Sequence, residues 1–256
     1  MRARVWTLAL AALLVGACAS QQAVHKQGQS ASVIDYLFPG KAASTPVAQG
    51  TIAELKVPFR VGLAFVPDVA DVRFRLTEVE RLELLGRVRQ AFERYPFVSA
   101  IEVIPSSYLE RGGSFQNMDR AARMLSLDCM VLLSYDQMQF ADASGWASLY
   151  WTGIGAYVVA GDRYDVLTSV EAAVFDVRSR KLLMRAGGTS QVKGSATMVG
   201  FSEGARKARA DGFRDSLEKL VMNLHAEVKV FRERAPGDRS VRLDLPPGYD
   251  PKAVKP

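Results

Sequence analysis

Asp128-Cys129-Met130-Val131-Leu132-Leu133-Ser134-Tyr135 is the stretch that decides the fold. Its apolar centre is too short for a stable helix and alternates with nothing polar, which is the pattern of a strand buried on both faces. A sheet with two buried faces needs helices on both sides. Upstream, Arg60-Val61-Gly62-Leu63-Ala64-Phe65-Val66-Pro67 reads as a second strand and Phe97 to Ile104, stopped by Pro105, as a third. Between them Thr77-Glu78-Val79-Glu80 has the form of a capping box. It opens a helix whose apolar positions are Val79, Leu82, Leu85, Val88 and Phe92, ending at Pro96. Asn117 to Leu127 predicts a second helix, with Ala121, Ala122, Met124 and Leu125 inward.

Downstream, Tyr164 to Val177 and Lys181 to Val192 predict a long antiparallel hairpin turned at Asp176-Val177-Arg178-Ser179-Arg180. Phe213, Leu217, Leu220, Leu224, Val228 and Phe231 mark the buried stripe of a long helix beginning near Ser202. The expected fold class is α/β (α+β): one mixed-sheet domain over residues 57–234, flanked by helices, with a long C-terminal helix. Residues 235–256 hold Pro246, Pro247, Pro251 and Pro256 and read as an extended, basic tail.

The N-terminus predicts an address. Arg2 and Arg4 precede an apolar run from Val5 to Val15, shorter than the roughly 20 residues that span a bilayer. That is the form of a secretory signal. It ends in Val15-Gly16-Ala17-Cys18, which resembles the lipobox of bacterial lipoproteins. The resemblance implies cleavage after residue 17, diacylglycerol on the Cys18 thiol and a domain facing the periplasm. Ala19 and Ser20 follow, with no aspartate beside Cys18, and the sorting pattern of such lipoproteins then implies the outer membrane. Residues 18–56, rich in Gln, Ser, Ala and Gly, read as the lipidated N-terminus and a flexible tether. Within it Ser32-Val33-Ile34-Asp35-Tyr36-Leu37-Phe38-Pro39-Gly40 is an apolar island, docked either on its own domain or on a partner.

The 256 residues are 48% hydrophobic and 23% charged, which excludes a disordered chain and supplies one sizeable core. Two cysteines and two histidines exclude a disulfide framework and leave little for a zinc site. No phosphate loop, dinucleotide fingerprint or nucleophile elbow is present in the sequence. His225 sits beside the stripe of the last helix, Cys129 in the most apolar strand, and Asp211 and Asp215 among basic neighbours. Each reads as structural or solvated. Residues 205–256 carry 12 basic and eight acidic residues, so the positive excess lies in the last helix and tail. Without interleaved aromatics this does not predict nucleic-acid binding.

No charge occurs from Ala143 to Gly161. This segment contains Trp146, Tyr150, Trp151 and Tyr157, which form a candidate interaction surface for self-association or the bilayer.

The order of elements resembles periplasmic lipoprotein domains of the curli-secretion and penicillin-binding-protein-activator type. The lipobox, Ser32–Gly40 and Ile104-Pro105-Ser106-Ser107-Tyr108-Leu109 together resemble the rhombotarget lipoprotein family. That resemblance implies association with the rhombosortase sorting system. Substrates of that system end in Gly-Gly, a membrane span and basic residues, and neither Gly112-Gly113 nor Gly187-Gly188 is followed by such a span. The expectation is a non-enzymatic, membrane-anchored lipoprotein that binds an envelope partner or assembles with itself. No metal and no cofactor beyond the lipid on Cys18 is expected. An envelope hydrolase, a ligand-binding lipoprotein and a structural link between membrane and cell wall are the alternatives.

Overall fold

The computed structural model describes residues 25–39, 52–68, 76–143, 162–196 and 201–249. The strands are β1 His25–Ala31, β2 Ala53–Lys56, β3 Phe59–Phe65, β4 Val98–Val103, β5 Cys129–Ala143, β6 Asp162–Asp176, β7 Leu182–Ala196 and β8 Val241–Asp244. The helices are α1 Val33–Leu37, α2 Glu78–Phe92, α3 Ser114–Leu125 and α4 Phe201–Arg234. This is the mixed-sheet fold class expected from the sequence, with a sheet of six strands and the long last helix.

The apolar run at Cys129–Leu133 lies at the centre of the sheet, in the order β4-β3-β5-β6-β7. There β5 is parallel to β3 and antiparallel to β6. Strands β3, β4 and β5 are joined through α2 and α3, which gives the parallel half its crossovers. Beyond Ser134 the same strand continues to Ala143, and β3 is replaced along its edge by β1, antiparallel with Ala31 opposite Tyr135 and His25 opposite Ala141. The long hairpin β6–β7 pairs from Asp162 opposite Ala196 down to Phe175 opposite Leu182.

Alternation along the strands sorts the layers. On one face Tyr135 meets Phe213 of α4 edge-to-face at 5.2 Å. On the other, Phe175 meets Phe115 of α3 at 6.1 Å and Phe115 meets Phe38 beyond α1 at 5.4 Å. The α4 packing is close because two glycines allow it. A Cβ on Gly188 of β7 would stand 2.0 Å from the Ser216 carbonyl oxygen, and one on Gly212 of α4 would stand 2.6 Å from Thr168 Oγ1.

The capping box forms as expected: Thr77 N–H donates to Glu80 Oε2 at 2.8 Å, and Glu80 N–H to Thr77 Oγ1 at 3.3 Å. The face of α2 differs from its apolar spacing. Val79 is 76% exposed, and Leu82 is also exposed, whereas Arg81, Leu84, Leu85, Val88 and Phe92 are buried. Arg81 is drawn inward by an ion pair with buried Asp68, which also accepts from the Tyr135 hydroxyl at 2.7 Å. Such a pair rotates the helix by more than two exposed apolar side chains resist, because leaving either charge unpaired in the interior costs several kcal/mol. Met124 of α3 is likewise exposed, and Asn117 and Met118 take the inward places.

Residues 18–56, read as a tether, contain structure: β1, α1 and β2 all fall within them. Strand β1 is held by backbone pairing, which a sequence as polar as His25-Lys26-Gln27-Gly28-Gln29-Ser30-Ala31 does not announce. The island docks on its own domain, with Tyr36 and Leu37 buried. The domain also reaches past residue 234, because β8 in the tail pairs in parallel with β2.

Candidate functional site

The register fixes what each end of the sheet carries. At one end lie His25, Ala141, Ala143, Asp162 and Ala196, since His25 opposes Ala141, Ala143 opposes Asp162 and Asp162 opposes Ala196. The chain therefore enters β1 and leaves β5 for the uncharged segment at the same end. Val15, Gly16, Ala17 and Cys18 lie outside the described residues, as do Trp146, Tyr150, Trp151 and Tyr157. What is described is where their flanks leave the fold.

Toward this end the strands β1, β5, β6 and β7 form an antiparallel ribbon covered on one face by the first half of α4. The interface beneath buries Val166, Ala205 and Ala208 and also carries polar bonds. Buried Gln137 donates through Nε2 to Thr168 Oγ1 at 2.8 Å and to the Arg209 carbonyl at 3.0 Å, and Arg209 Nη1 donates to Gln139 Oε1 at 2.6 Å. These bonds satisfy groups whose burial alone would cost free energy. The opposite face of the ribbon carries Asp165, Glu171, Arg185, Gln191 and Lys193. There Gln191 bonds Asp165 at 2.8 Å and Arg185 lies 3.9 Å from Glu171.

Among the described residues β1 pairs only with β5, and β7 only with β6. Both are thus sheet edges. Part of the β7 edge is closed by α4: Lys219 Nζ donates to the Thr189 carbonyl at 2.7 Å, Asn223 Nδ2 to Gly187 at 2.7 Å and Arg234 Nη2 to Leu183 at 3.5 Å. These odd-numbered residues point their backbone groups away from β6, and alternation gives Gln191 and Lys193 the same outward direction. No apolar pattern marks an edge of this kind, so sequence reasoning did not single it out.

The side chains weighed for chemistry hold structural positions. His225 Nδ1 lies 2.6 Å from the Tyr95 hydroxyl and its ring stacks on Phe92 at 4.4 Å. Burial, with Arg94 adding, holds its imidazolium below the ordinary histidine range. The Cys129 thiol is buried, and burial followed by the charges of Asp176 and Asp128 pushes its pKa well up. Asp211 pairs with Arg214 at 2.6 Å. Among the described residues no group of three His, Cys, Asp or Glu side chains is placed to hold a metal ion.

No known protein family matches this chain, and no curated protein matches it. Among solved structures it is similar to the PelC dodecamer from Paraburkholderia phytofirmans, with 10% identity and a TM-score of 0.29, over 77% of this chain and 98% of that one. A variant of the same dodecamer gives 10% identity and a TM-score of 0.28, over 76% and 99%. Values this low say nothing of what the present chain does.

At the far end of the sheet, α2, α4, β2 and β8 roof an apolar cavity of about 180 Å³ on the α4 face. Val131, Val174 and Met184 contribute from the sheet, and Phe92, Leu224 and Val228 from the helices. Arg232 is the one charged side chain among its lining residues.

Proposed function

We propose that this chain is an outer-membrane lipoprotein, anchored through acyl chains on Cys18, whose periplasmic domain assembles side by side with copies of itself in the cell envelope. The observation that carries this reading is the relation between β1 and the part of β7 that α4 leaves open, the two sheet edges that pair with no further strand among the described residues. Strand β1 is antiparallel to β5, β5 to β6 and β6 to β7, so β1 and β7 run in opposite directions. A second copy rotated about an axis along the strands brings its β1 antiparallel to the first copy's β7. The alternation continues unbroken, and both N-termini stay at the same end. That is a heterologous contact, which closes into a ring when the rotation divides the circle.

The anchor supports the same arrangement. Cys18 precedes His25 by seven residues, which at about 3.5 Å each bring the sheet end within about 25 Å of the bilayer. Acyl chains at about 0.8 kcal/mol per buried methylene hold it there permanently. With every copy anchored at one end, only a contact that keeps all ends aligned is usable. The uncharged segment with Trp146, Tyr150, Trp151 and Tyr157 leaves from this membrane-facing end and is suited to the interfacial region, where such rings concentrate. The absence of aspartate after Cys18 supports the outer membrane, and the resemblance to rhombotarget lipoproteins supports an association with protein sorting.

The test is the mass of the full chain extracted from membranes in mild detergent, by light scattering. Several copies per particle are expected. Gln191→Pro removes an outward N–H from the β7 edge without touching the β6 ladder and reduces the particle to one copy. A wild-type particle holding one copy contradicts the reading.

A further inference from the structure

We infer that the apolar cavity between the sheet and helices α2 and α4 is a binding site for a medium-chain fatty acid of about eight carbons, with its alkyl chain among Val131, Val174, Leu224 and Val228 and its carboxylate on Arg232. Four observations converge on this ligand. The cavity volume of about 180 Å³ is close to that of engineered apolar cavities of about 150 Å³ that stay dry and take in benzene. By that measure it holds one alkyl segment of about seven carbons and has no place for two. Its walls are hydrocarbon from both layers, so a polar ligand gains nothing there.

Arg232 gives the ligand its charge. Its guanidinium lies 5.9 Å from the centre of the Phe97 ring, which also lines the cavity, and among the described residues it has no carboxylate partner. Arg234, two positions on, has Asp238 at 3.7 Å. An unpaired guanidinium set against a hydrocarbon wall is complementary to an anionic amphiphile.

The place of the cavity separates a free fatty acid from a bilayer lipid. Val131 lies ten residues along β5 from Ala141, the partner of His25, or about 33 Å along the strand. Membrane phospholipids at the anchored end do not reach it, whereas a desorbed single-chain amphiphile does. This placement rests on the Cys18 anchor; the cavity and Arg232 do not.

Photolabelling tests the site in the full chain in its own membranes. An eight-carbon fatty acid bearing a diazirine near its methyl end is photolysed with membrane vesicles, and the labelled peptides are mapped by mass spectrometry. The expected result is saturable labelling of the peptides around Val131 and from Leu224 to Arg232, displaced by unlabelled octanoate. Met184→Trp fills the cavity and abolishes it. Arg232→Gln, at a half-buried position outside the core, raises the half-saturating concentration about tenfold. Absence of saturable labelling at these peptides overturns the inference, and so does labelling that both variants leave unchanged. Saturable labelling there by a phospholipid carrying the same diazirine, with none by the fatty acid, also overturns it. Because the label is read at the cavity, a negative result leaves self-assembly standing, and a one-copy particle leaves the cavity standing.

Discussion

The Tyr36 hydroxyl donates to Asn117 Oδ1 at 2.7 Å, joining the N-terminal segment to helix α3 across 81 positions. The same oxygen accepts from the Glu110 N–H at 2.9 Å, and Asn117 Nδ2 donates to the Tyr108 carbonyl at 3.3 Å. Residues 32–39 and 104–110 thus meet through one buried asparagine. Burial, with Glu110 and Asp119 adding, pushes the Tyr36 pKa upward, so the phenol stays a donor. The contact is a clasp that fastens the segment around Tyr36 to the domain.

Asn117→Ala is therefore expected to cost about 2–3 kcal/mol, because it leaves a buried hydroxyl and a backbone N–H unpaired. Tyr36→Phe, which removes one donor and keeps the packing, is expected to cost about 1 kcal/mol. Denaturant unfolding measures both. Equal costs contradict a shared acceptor.

Two adjacent glycines separate packing from conformation. Gly188→Ala drives a methyl into the α4 backbone and is expected to destabilise by at least 1–3 kcal/mol, the usual cost of overpacking. At Gly187 the nearest atom to a new Cβ is the Val170 carbonyl oxygen at 3.6 Å, an ordinary contact. Gly187→Ala is expected to leave stability unchanged or raise it, by up to about 1 kcal/mol. Thermal melting of the two variants checks the contrast.

His225 gives stability a pH dependence whose sign follows from its lowered pKa. The folded state favours the neutral ring, so the unfolded chain takes up the proton first as pH falls. Stability present above the unfolded value of about 6.5 declines as pH drops through it toward the folded pKa, then levels off. His225→Gln keeps a partner for Tyr95 and removes that component. Unfolding curves of both proteins from pH 8 to pH 5 should converge at the acid end.

Cys129 should be inert. Its thiol is buried and its pKa raised, so iodoacetamide at pH 8 is expected to leave it unlabelled in the native protein and to label it fully in guanidinium. Fast native labelling would place it at an exposed, activated position instead.

The sequence made the core legible where one physical signal dominated. Cys129–Leu133, the β6–β7 hairpin, the Thr77–Glu80 box and the α4 stripe each carry their pattern locally. Strand β1 was hidden because its pairing uses backbone groups, and the β2–β8 pair because its strands lie 188 positions apart between Glu54 and Arg242. The turn of α2 was hidden because the partner of Arg81 is Asp68, which the helix does not contain. Of the proposed site, Val15-Gly16-Ala17-Cys18, which resembles a lipobox, is written in consecutive residues. The two outward edges and the cavity exist only once distant strands are placed side by side.

The anchor is the claim on which the orientation of the domain depends, and the mass of the mature N-terminal peptide from native membranes tests it most directly. The account predicts a chain beginning at Cys18 that carries diacylglycerol on its sulfur. A chain beginning at any other residue, or an unmodified Cys18 thiol, contradicts it.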